Sequence, residues 1–132
     1  MKYVPQASLK HLNTFGLDAS AGALVEIETE EDLLELPSFD RHRDLVLGAG
    51  SNVVLLSDVP GMVYLNRIRG LSTVEQRGDT VLVEAGAGED WHGLVQWTLD
   101  RGLNGLENLS LIPGSVGAAP IQNIGAYGVE LA

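Results

Sequence analysis

Cysteine is absent from this sequence of 132 residues. Disulfide bonds, thiolate metal sites and a cysteine nucleophile are therefore excluded, and a reducing cytoplasm is the expected location. Histidine is also scarce, and His11, His42 and His92 lack the spacing of a zinc-binding helix. Asp and Glu form no calcium-binding loop, so no metal site is predicted. Neither Ser51 nor Ser115 has the glycine two residues upstream that a nucleophile elbow requires, and the sequence contains no recognisable catalytic triad.

Positive charge is the second scarce feature, with 8 Lys and Arg against 18 Asp and Glu and a formal net charge of −10. This sign is wrong for a protein that binds the phosphate backbone of nucleic acids by counterion release. No apolar run approaches the roughly 18 residues that a membrane-spanning helix needs. The residues after Pro5 are polar, so no secretory signal is predicted. The sequence thus predicts a soluble cytoplasmic domain that binds neither nucleic acid nor membrane.

The elements that are present indicate an α+β fold. A chain of this length can remove about two-thirds of its unfolded surface from water. Short apolar or alternating segments predict strands at residues 23–28, 45–47, 53–56, 63–65, 71–74 and 80–84. A helix is predicted after Thr29, whose side chain would cap an acidic first turn. Its apolar face would carry Leu33, Leu34 and Leu36, and Pro37 would end it.

A second helix is predicted from Trp91 to Arg101. Glu89 and Asp90 can cap its start, and Gly102 supplies the C′ residue after its end. Both tryptophans are then core or boundary residues, and His92 is a solvent-exposed residue on the polar side. The inner face of this helix would carry Trp91, Leu94, Val95, Thr98 and Leu99.

Glycine is concentrated in residues 105–128, which contain five glycines and almost no charge. Because glycine lacks a Cβ, such a segment lets a ligand approach the backbone closely. The amides of Gln122 and Asn123 add donors and acceptors that suit a planar heterocycle with a polar edge. A Gly-rich connection that binds no ligand is the alternative interpretation.

A second glycine cluster, Gly48–Asn52, lacks the lysine and the spacing of a P-loop and has only a lone G-x-G. Four aliphatic residues follow it, so we expect a strand there rather than the helix of a Rossmann turn. The turn could bind phosphate through successive backbone N–H groups, helped by Ser51 and Asn52. It could equally be a tight turn without a ligand.

Arg67 and Arg69 would share one face of an extended segment, either to neutralise an anion or as solvated surface.

Four sequence blocks cover nearly the whole chain. They are Asn13-Thr14-Phe15-Gly16, Leu47–Asn52, Gly86–Trp91, and a long block from Gly105–Asn108 through to Tyr127–Glu130, in which Ile112–Gly117 runs into Pro120–Gly128. In content and order these blocks resemble those of the UDP-N-acetylenolpyruvoylglucosamine reductase family, flavoenzymes of peptidoglycan precursor synthesis and thus of cell-wall biogenesis, cell shape and cell division.

The resemblance implies an FAD-binding domain of the α+β type found in vanillyl-alcohol-oxidase and PCMH-like flavoproteins. Gly48–Asn52 would wrap the FAD pyrophosphate, and the later Gly-rich loops would pass close to the cofactor. No covalent flavin linkage is expected. The implied cofactor-binding residues are Asn13, Thr14, Gly48, Ala49, Gly50, Ser51, Asn52, Pro113, Gly114, Ser115, Gly117, Ala118, Ala119, Gln122, Asn123, Ile124, Gly125 and Tyr127.

The family's reaction uses NADPH to reduce FAD. The flavin then gives hydride to the enolpyruvyl double bond of UDP-N-acetylglucosamine enolpyruvate, a serine protonates the neighbouring carbon, and UDP-N-acetylmuramate forms. The family's catalytic arginine, serine and glutamate belong to segments that the resemblance places beyond Ala132. We therefore predict no catalytic residue in this chain.

Members of that family are considerably longer than this chain. We therefore expect a truncated protein without the substrate-binding domain, with one FAD-binding subdomain at about residues 1–68 and the start of a second at about 69–132. Such a chain would be inactive, would hold FAD weakly or not at all, and would self-associate through an unpaired sheet edge. The alternatives are a stand-alone, non-catalytic nucleotide- or flavin-binding module and a different flavin oxidase of the same superfold. The 105–128 segment argues against the latter.

Overall fold

The structure, a computed structural model, describes residues 1–131. The chain divides into two compact units, Met1–Ile68 and Arg69–Ala132. Both units contain strands and helices, which confirms the α+β class expected from the sequence.

The first unit is built on a four-stranded sheet in the order β1-β2-β4-β3. Its strands are β1 (Lys2–Ser8), β2 (Ser20–Ile27), β3 (Leu45–Leu47) and β4 (Val59–Asn66). Strand β1 is antiparallel to β2, whereas β2 and β3 each run parallel to β4. The antiparallel strand therefore lies at one edge of an otherwise parallel sheet.

Both faces of the two central strands are buried. On one face Leu24 of β2 packs with Val63 and Leu65 of β4. On the other face Val25 of β2 packs with Tyr64 of β4. Strands that are covered on both sides read as continuous apolar runs, which is why the sequence predicts a strand at residues 23–28 and another at 63–65.

Helix α1 (Glu30–Leu34) begins at a complete capping box. The Thr29 hydroxyl accepts from the Asp32 N–H, while the Asp32 carboxylate accepts from the backbone N–H groups of Glu28 and Thr29. The N-terminal ammonium of Met1 lies 2.9 Å from both carboxylate oxygens of Asp32. Hydrogen bonds from that ammonium and from the Glu28 N–H lower the pKa of Asp32 to about 2.

Acidification should therefore destabilise the first unit through Asp32. Its folded-state pKa lies below the ordinary value of 3.8, so its stabilising contribution is present above that value and is lost as the pH falls toward about 2. We expect Asp32→Asn to lower the unfolding temperature at pH 7. The unfolding temperature of this variant should also change less with pH between about 2 and 3.8 than that of the parent chain. Thermal unfolding of both proteins as a function of pH measures this difference. Parallel pH profiles would contradict it.

The second unit combines hairpins with one substantial helix. Strands β5 (Leu71–Arg77) and β6 (Thr80–Ala85) form the first hairpin, and β7 (Gly125–Ala126) and β8 (Val129–Glu130) form the second. Helix α2 (Trp91–Leu99) and the short helix α3 (Ala119–Gln122) lie between them in the chain. The core of this unit consists of Trp91, Leu94, Val95, Leu109 and Ala119.

Helix α2 starts at Trp91 as its sequence predicts, but its last residue is Leu99 rather than Arg101, and Leu99, predicted on the inner face, is exposed. The Asp90 carboxylate accepts from the Gly93 N–H at 2.8 Å, which is an ordinary N-cap bond. At the other end the N–H of Leu103 donates to Thr98 O, and the N–H of Gly102 donates to Leu99 O. Because Gly102 has a φ of +69°, these two bonds form a Schellman motif with glycine at C′.

Three expectations about local structure were wrong. Residues 53–56 do not form a strand: they alternate in exposure, but β3 is the last strand on that side of the sheet. Strand β1 was missed because it is a mostly exposed edge strand with little apolar periodicity, where Pro5 is tolerated. Leu33 and Leu34 do not face a core, because their side chains are 45% and 88% exposed, and the helix ends at Leu34 rather than at Pro37.

Candidate cofactor-binding surfaces

The glycine turn, residues 48–52, directly follows β3 in the first unit. Among these five residues only Gly50 has a positive φ, of +68°. Its carbonyl accepts a hydrogen bond from the Thr14 N–H at 3.0 Å. A Cβ at Gly50 would overlap the carbonyl oxygen of Leu12, so both the backbone angle and the close packing require glycine.

Asn13 holds the chain segment that packs against the glycine turn. Its side chain is only 7% exposed. Its Nδ2 donates to Leu9 O and Leu17 O, and its Oδ1 accepts from the Leu17 N–H at 2.9 Å. This amide is therefore committed within the protein, while Thr14 beside it is exposed at the surface.

The surface of the glycine turn is small and hydrogen-bonding. Gly50 is buried and Gly48 and Ser51 are half-buried, while Ala49 and Asn52 are exposed. A positive φ within such a turn is typical of a nest whose backbone N–H groups point toward an anion. The residues present therefore fit a phosphate group that is held by backbone donors and short polar side chains.

The two arginines singled out in the sequence are each paired with a carboxylate. Arg67 Nε lies 3.6 Å from Glu26 Oε1 in the first unit. In the second unit the Arg69 guanidinium lies 3.1 Å from Glu89 Oε2. These contacts favour the interpretation of both arginines as surface residues within ion pairs.

The second candidate surface, the 113–127 segment, is held by backbone pairing in the second unit. Trp91 N–H donates to Gly114 O at 3.0 Å, and Val116 N–H donates to Glu89 O at 2.9 Å. Gly117 N–H donates to the Ala87 carbonyl at 2.9 Å. The loop that leads into helix α2 thus pairs with the start of the Gly-rich segment.

Position 117 requires glycine because of this close pairing with Ala87, and not because of a positive φ. A Cβ at this position would lie 2.7 Å from the Ala87 Cβ, closer than real side chains pack. Other glycines of the region serve turns, because Gly105, Gly114 and Gly128 all have positive φ values. Packing and turn formation therefore account for part of the glycine enrichment that the sequence shows.

The end of the segment presents amides and an aromatic side chain at the surface. Helix α3 ends at Asn123, which adopts a left-handed φ of +46°. Tyr127 and Gly128 then form a two-residue hairpin turn in which both φ values are positive, as in a type I′ turn. The Tyr127 side chain is 89% exposed and Asn123 is also exposed.

The other predicted residues of this segment are placed less uniformly. Ala119 belongs to the core, so only its backbone could reach a ligand. Pro113, Gln122 and Gly125 are exposed, whereas Ser115, Ala118 and Ile124 are half-buried. Together these residues form a neutral surface of backbone groups, amides and small side chains, and such a surface fits a flavin.

Two residues that the sequence interpretation underrated organise this surface. Glu89 does not cap helix α2; its Oε1 accepts from the Gly70 N–H at 2.8 Å. This bond and the Arg69 guanidinium lower the pKa of Glu89, so the carboxylate is held ionised. His92 is half-buried and accepts from the Leu111 N–H through Nδ1 at 3.2 Å. A local pattern cannot reveal either contact, because both partners are distant in sequence.

Residues 1–131 contain no group of three or more His, Asp or Glu side chains arranged to hold a metal ion. None of the helices in that range has the length and apolarity needed to cross a membrane.

A protein-family model described as FAD binding domain matches residues 21–132. This range includes the glycine turn and the whole 113–127 segment. Asn13 and Thr14 lie before its start.

Curated proteins named UDP-N-acetylenolpyruvoylglucosamine reductase are similar to nearly the whole chain. The one from Azoarcus sp. is 56% identical over 132 residues, covering 95% of this chain and 38% of that protein. The one from Pseudomonas aeruginosa is 54% identical over 127 residues, covering 94% of this chain and 38% of that protein. The chain therefore spans 38% of the length of these relatives.

A solved structure shows the same fold. The crystal structure of UDP-N-acetylenolpyruvylglucosamine reductase from Thermus caldophilus matches with a TM-score of 0.72 and 31% sequence identity. The match covers 98% of this chain and 44% of that chain.

Proposed function

The chain belongs to the FAD binding domain family, and we propose that it is the FAD-binding part of an NADPH-dependent reductase that converts UDP-N-acetylglucosamine enolpyruvate to UDP-N-acetylmuramate. Identity of 50% or more to reductases of that name, over almost the whole chain, is the observation that carries this proposal. The reaction would belong to peptidoglycan synthesis and would take place in the cytoplasm, which remains a prediction from the sequence.

The first unit would bind the phosphate end of the cofactor. The glycine turn offers backbone donors around Gly50, and its residues Ala49 and Asn52 are exposed at the surface. Asn13 would act by holding the segment that contacts the turn, since its own amide bonds to Leu9 and Leu17. Thr14, which is exposed, would contact the cofactor directly.

The second unit would bind the isoalloxazine ring through the 113–127 segment. Its backbone groups and the Asn123 amide suit the polar edge of a flavin, while the Tyr127 ring offers an apolar face. FAD would be held without a covalent bond. The cofactor would supply hydride transfer, and this chain's residues would bind and orient it.

A chimera tests the proposal with the rest of a reductase supplied. Residues 1–131 of this chain replace the matching segment of the Pseudomonas aeruginosa protein. We expect the purified chimera to carry FAD with a flavin absorption band, and to turn over NADPH beyond the one equivalent that reduces its bound flavin only when UDP-N-acetylglucosamine enolpyruvate is present. A chimera that folds, as judged by circular dichroism, but binds no FAD would overturn the proposal. A chimera that binds FAD without oxidising NADPH would favour a flavin-binding module instead.

The dependence on the diphosphate tests the assignment of the glycine turn separately. If the turn binds phosphate, the chimera should prefer FAD over riboflavin by at least about tenfold in Kd, which corresponds to about 1.4 kcal/mol. ADP, which carries the diphosphate but no flavin, should compete with FAD. Titration of flavin fluorescence measures both effects. Equal affinity for FAD and riboflavin would show that the turn does not hold phosphate.

A further inference from the structure

His92 and Leu111 make a contact that the proposed function does not use. His92 lies in the first turn of helix α2, and its Nδ1 accepts the Leu111 N–H at 3.2 Å. Because Nδ1 is the acceptor, the neutral imidazole carries its proton on Nε2. Leu111 directly precedes the Ile112-Pro113-Gly114 run that enters the 113–127 segment.

The Leu111 backbone is strained. Its φ is +64°, the left-handed region that a leucine avoids, and its side chain is 78% exposed. Core packing of the side chain therefore does not stabilise this conformation. The hydrogen bond from its N–H to His92 is a contact on the residue itself that favours the strained form.

Trp91 fixes the chain on both sides of Leu111. Its indole Nε1–H donates to Leu109 O at 2.9 Å, in a buried bond. Its backbone N–H donates to Gly114 O at 3.0 Å. The chain between residues 109 and 114 is thus held at its two ends by Trp91 and in its middle by His92.

We propose that His92 is a positioning residue, which sets the direction in which the 113–127 segment leaves Leu111 and so orients its backbone toward the flavin. This proposal rests on the proposed function, because it assigns the flavin to that segment. His92 acts through the Leu111 backbone and need not touch the cofactor.

The proposed role requires a hydrogen-bond acceptor at the position of His92 Nδ1, and the test variants remove or keep that acceptor. His92→Leu removes the acceptor, whereas His92→Asn keeps an oxygen one bond beyond Cγ, where the histidine has Nδ1. Gln96→Leu is the matched control, because Gln96 is an exposed residue of the same helix. In the chimera we expect His92→Leu to weaken FAD binding by about tenfold, as expected for a lost hydrogen bond with released strain. His92→Asn and Gln96→Leu should stay within about twofold of the parent.

Hydrogen exchange in this chain without FAD supplies an independent measurement. The Leu111 amide should exchange about tenfold faster in His92→Leu and at the parent rate in His92→Asn.

Val95→Ala, which destabilises the same helix from the core, should lower the unfolding temperature without changing FAD affinity. Failure of His92→Asn to restore FAD binding, or equal loss of affinity in Val95→Ala, would overturn the positioning role. If the chimera binds no FAD at all, the proposed function fails, while the exchange data still show whether His92 holds Leu111.

Discussion

Gly50→Ala is expected to destabilise the first unit by on the order of 3 kcal/mol and to abolish FAD binding by the chimera. The added Cβ would overlap the Leu12 carbonyl oxygen and lie 2.9 Å from the Asn13 Cα. Neither atom can move easily, because both belong to the backbone that the Asn13 side chain ties to Leu9 and Leu17. Relief would require the glycine turn to move away and break the bond from Thr14. Denaturant unfolding of this chain and FAD titration of the chimera measure the two effects.

Gly16→Ala is the matched control for this prediction. Gly16 lies in the same unit and also has a positive φ, of +62°, but no atom lies within 4 Å of the position its Cβ would occupy. The substitution should therefore cost only the backbone strain, about 1 kcal/mol, and should leave FAD affinity unchanged. Equal losses in Gly16→Ala and Gly50→Ala would show that the packing against Leu12 contributes nothing. Unchanged FAD binding in Gly50→Ala would remove the glycine turn from the cofactor site.

The features that follow from local rules could be predicted from the sequence. Helix α2 is an example: a carboxylate at Asp90, an apolar inner face and Gly102 after the last turn specify its start, its buried side and its end. The buried strands β2 and β4 were predicted because continuous apolar runs are themselves the signal of a strand covered on both faces. The resemblance to the reductase family, which is confirmed, came from contiguous motifs of the same kind.

The features that depend on contacts between distant residues could not be predicted. The sequence shows that residues 105–128 are rich in glycine, but it does not show that Gly117 is needed for packing on Ala87. His92 reads as a polar helix residue until the fold brings Leu111 beside it. Asn13 matches a family motif, yet only the structure shows that its amide is buried and bonded within its own loop. The segments and residues that the sequence assigns to the cofactor site therefore stay predictions, and the structure adds which of their side chains are buried or already bonded within the protein.

Gly117→Ala is expected to destabilise the second unit and to weaken FAD binding by the chimera. Its Cβ would lie 2.7 Å from the Ala87 Cβ and 3.1 Å from the Ala87 carbonyl oxygen, to which the Gly117 N–H donates. The segment would have to shift outward, which weakens its backbone pairing with the loop before helix α2. We expect a loss of about 2 kcal/mol in unfolding free energy, as is usual for overpacking. FAD affinity of the chimera should fall by about tenfold or more, because the displaced backbone is the proposed flavin surface.

A second substitution at the contact distinguishes this mechanism from a general defect. Ala87→Gly removes the Cβ that meets the new methyl group, so the double variant should regain most of the FAD affinity that Gly117→Ala loses. It should regain less of the unfolding free energy, because glycine at position 87 makes the unfolded chain more flexible than alanine does there. Gly93→Ala is the control within helix α2, where a Cβ would meet only ordinary contacts at 3.5 Å or more. That variant should be neutral or more stable by up to about 1 kcal/mol, with unchanged affinity. If Ala87→Gly restores part of the unfolding free energy but no FAD binding, the requirement for glycine at position 117 comes from the ligand rather than from Ala87.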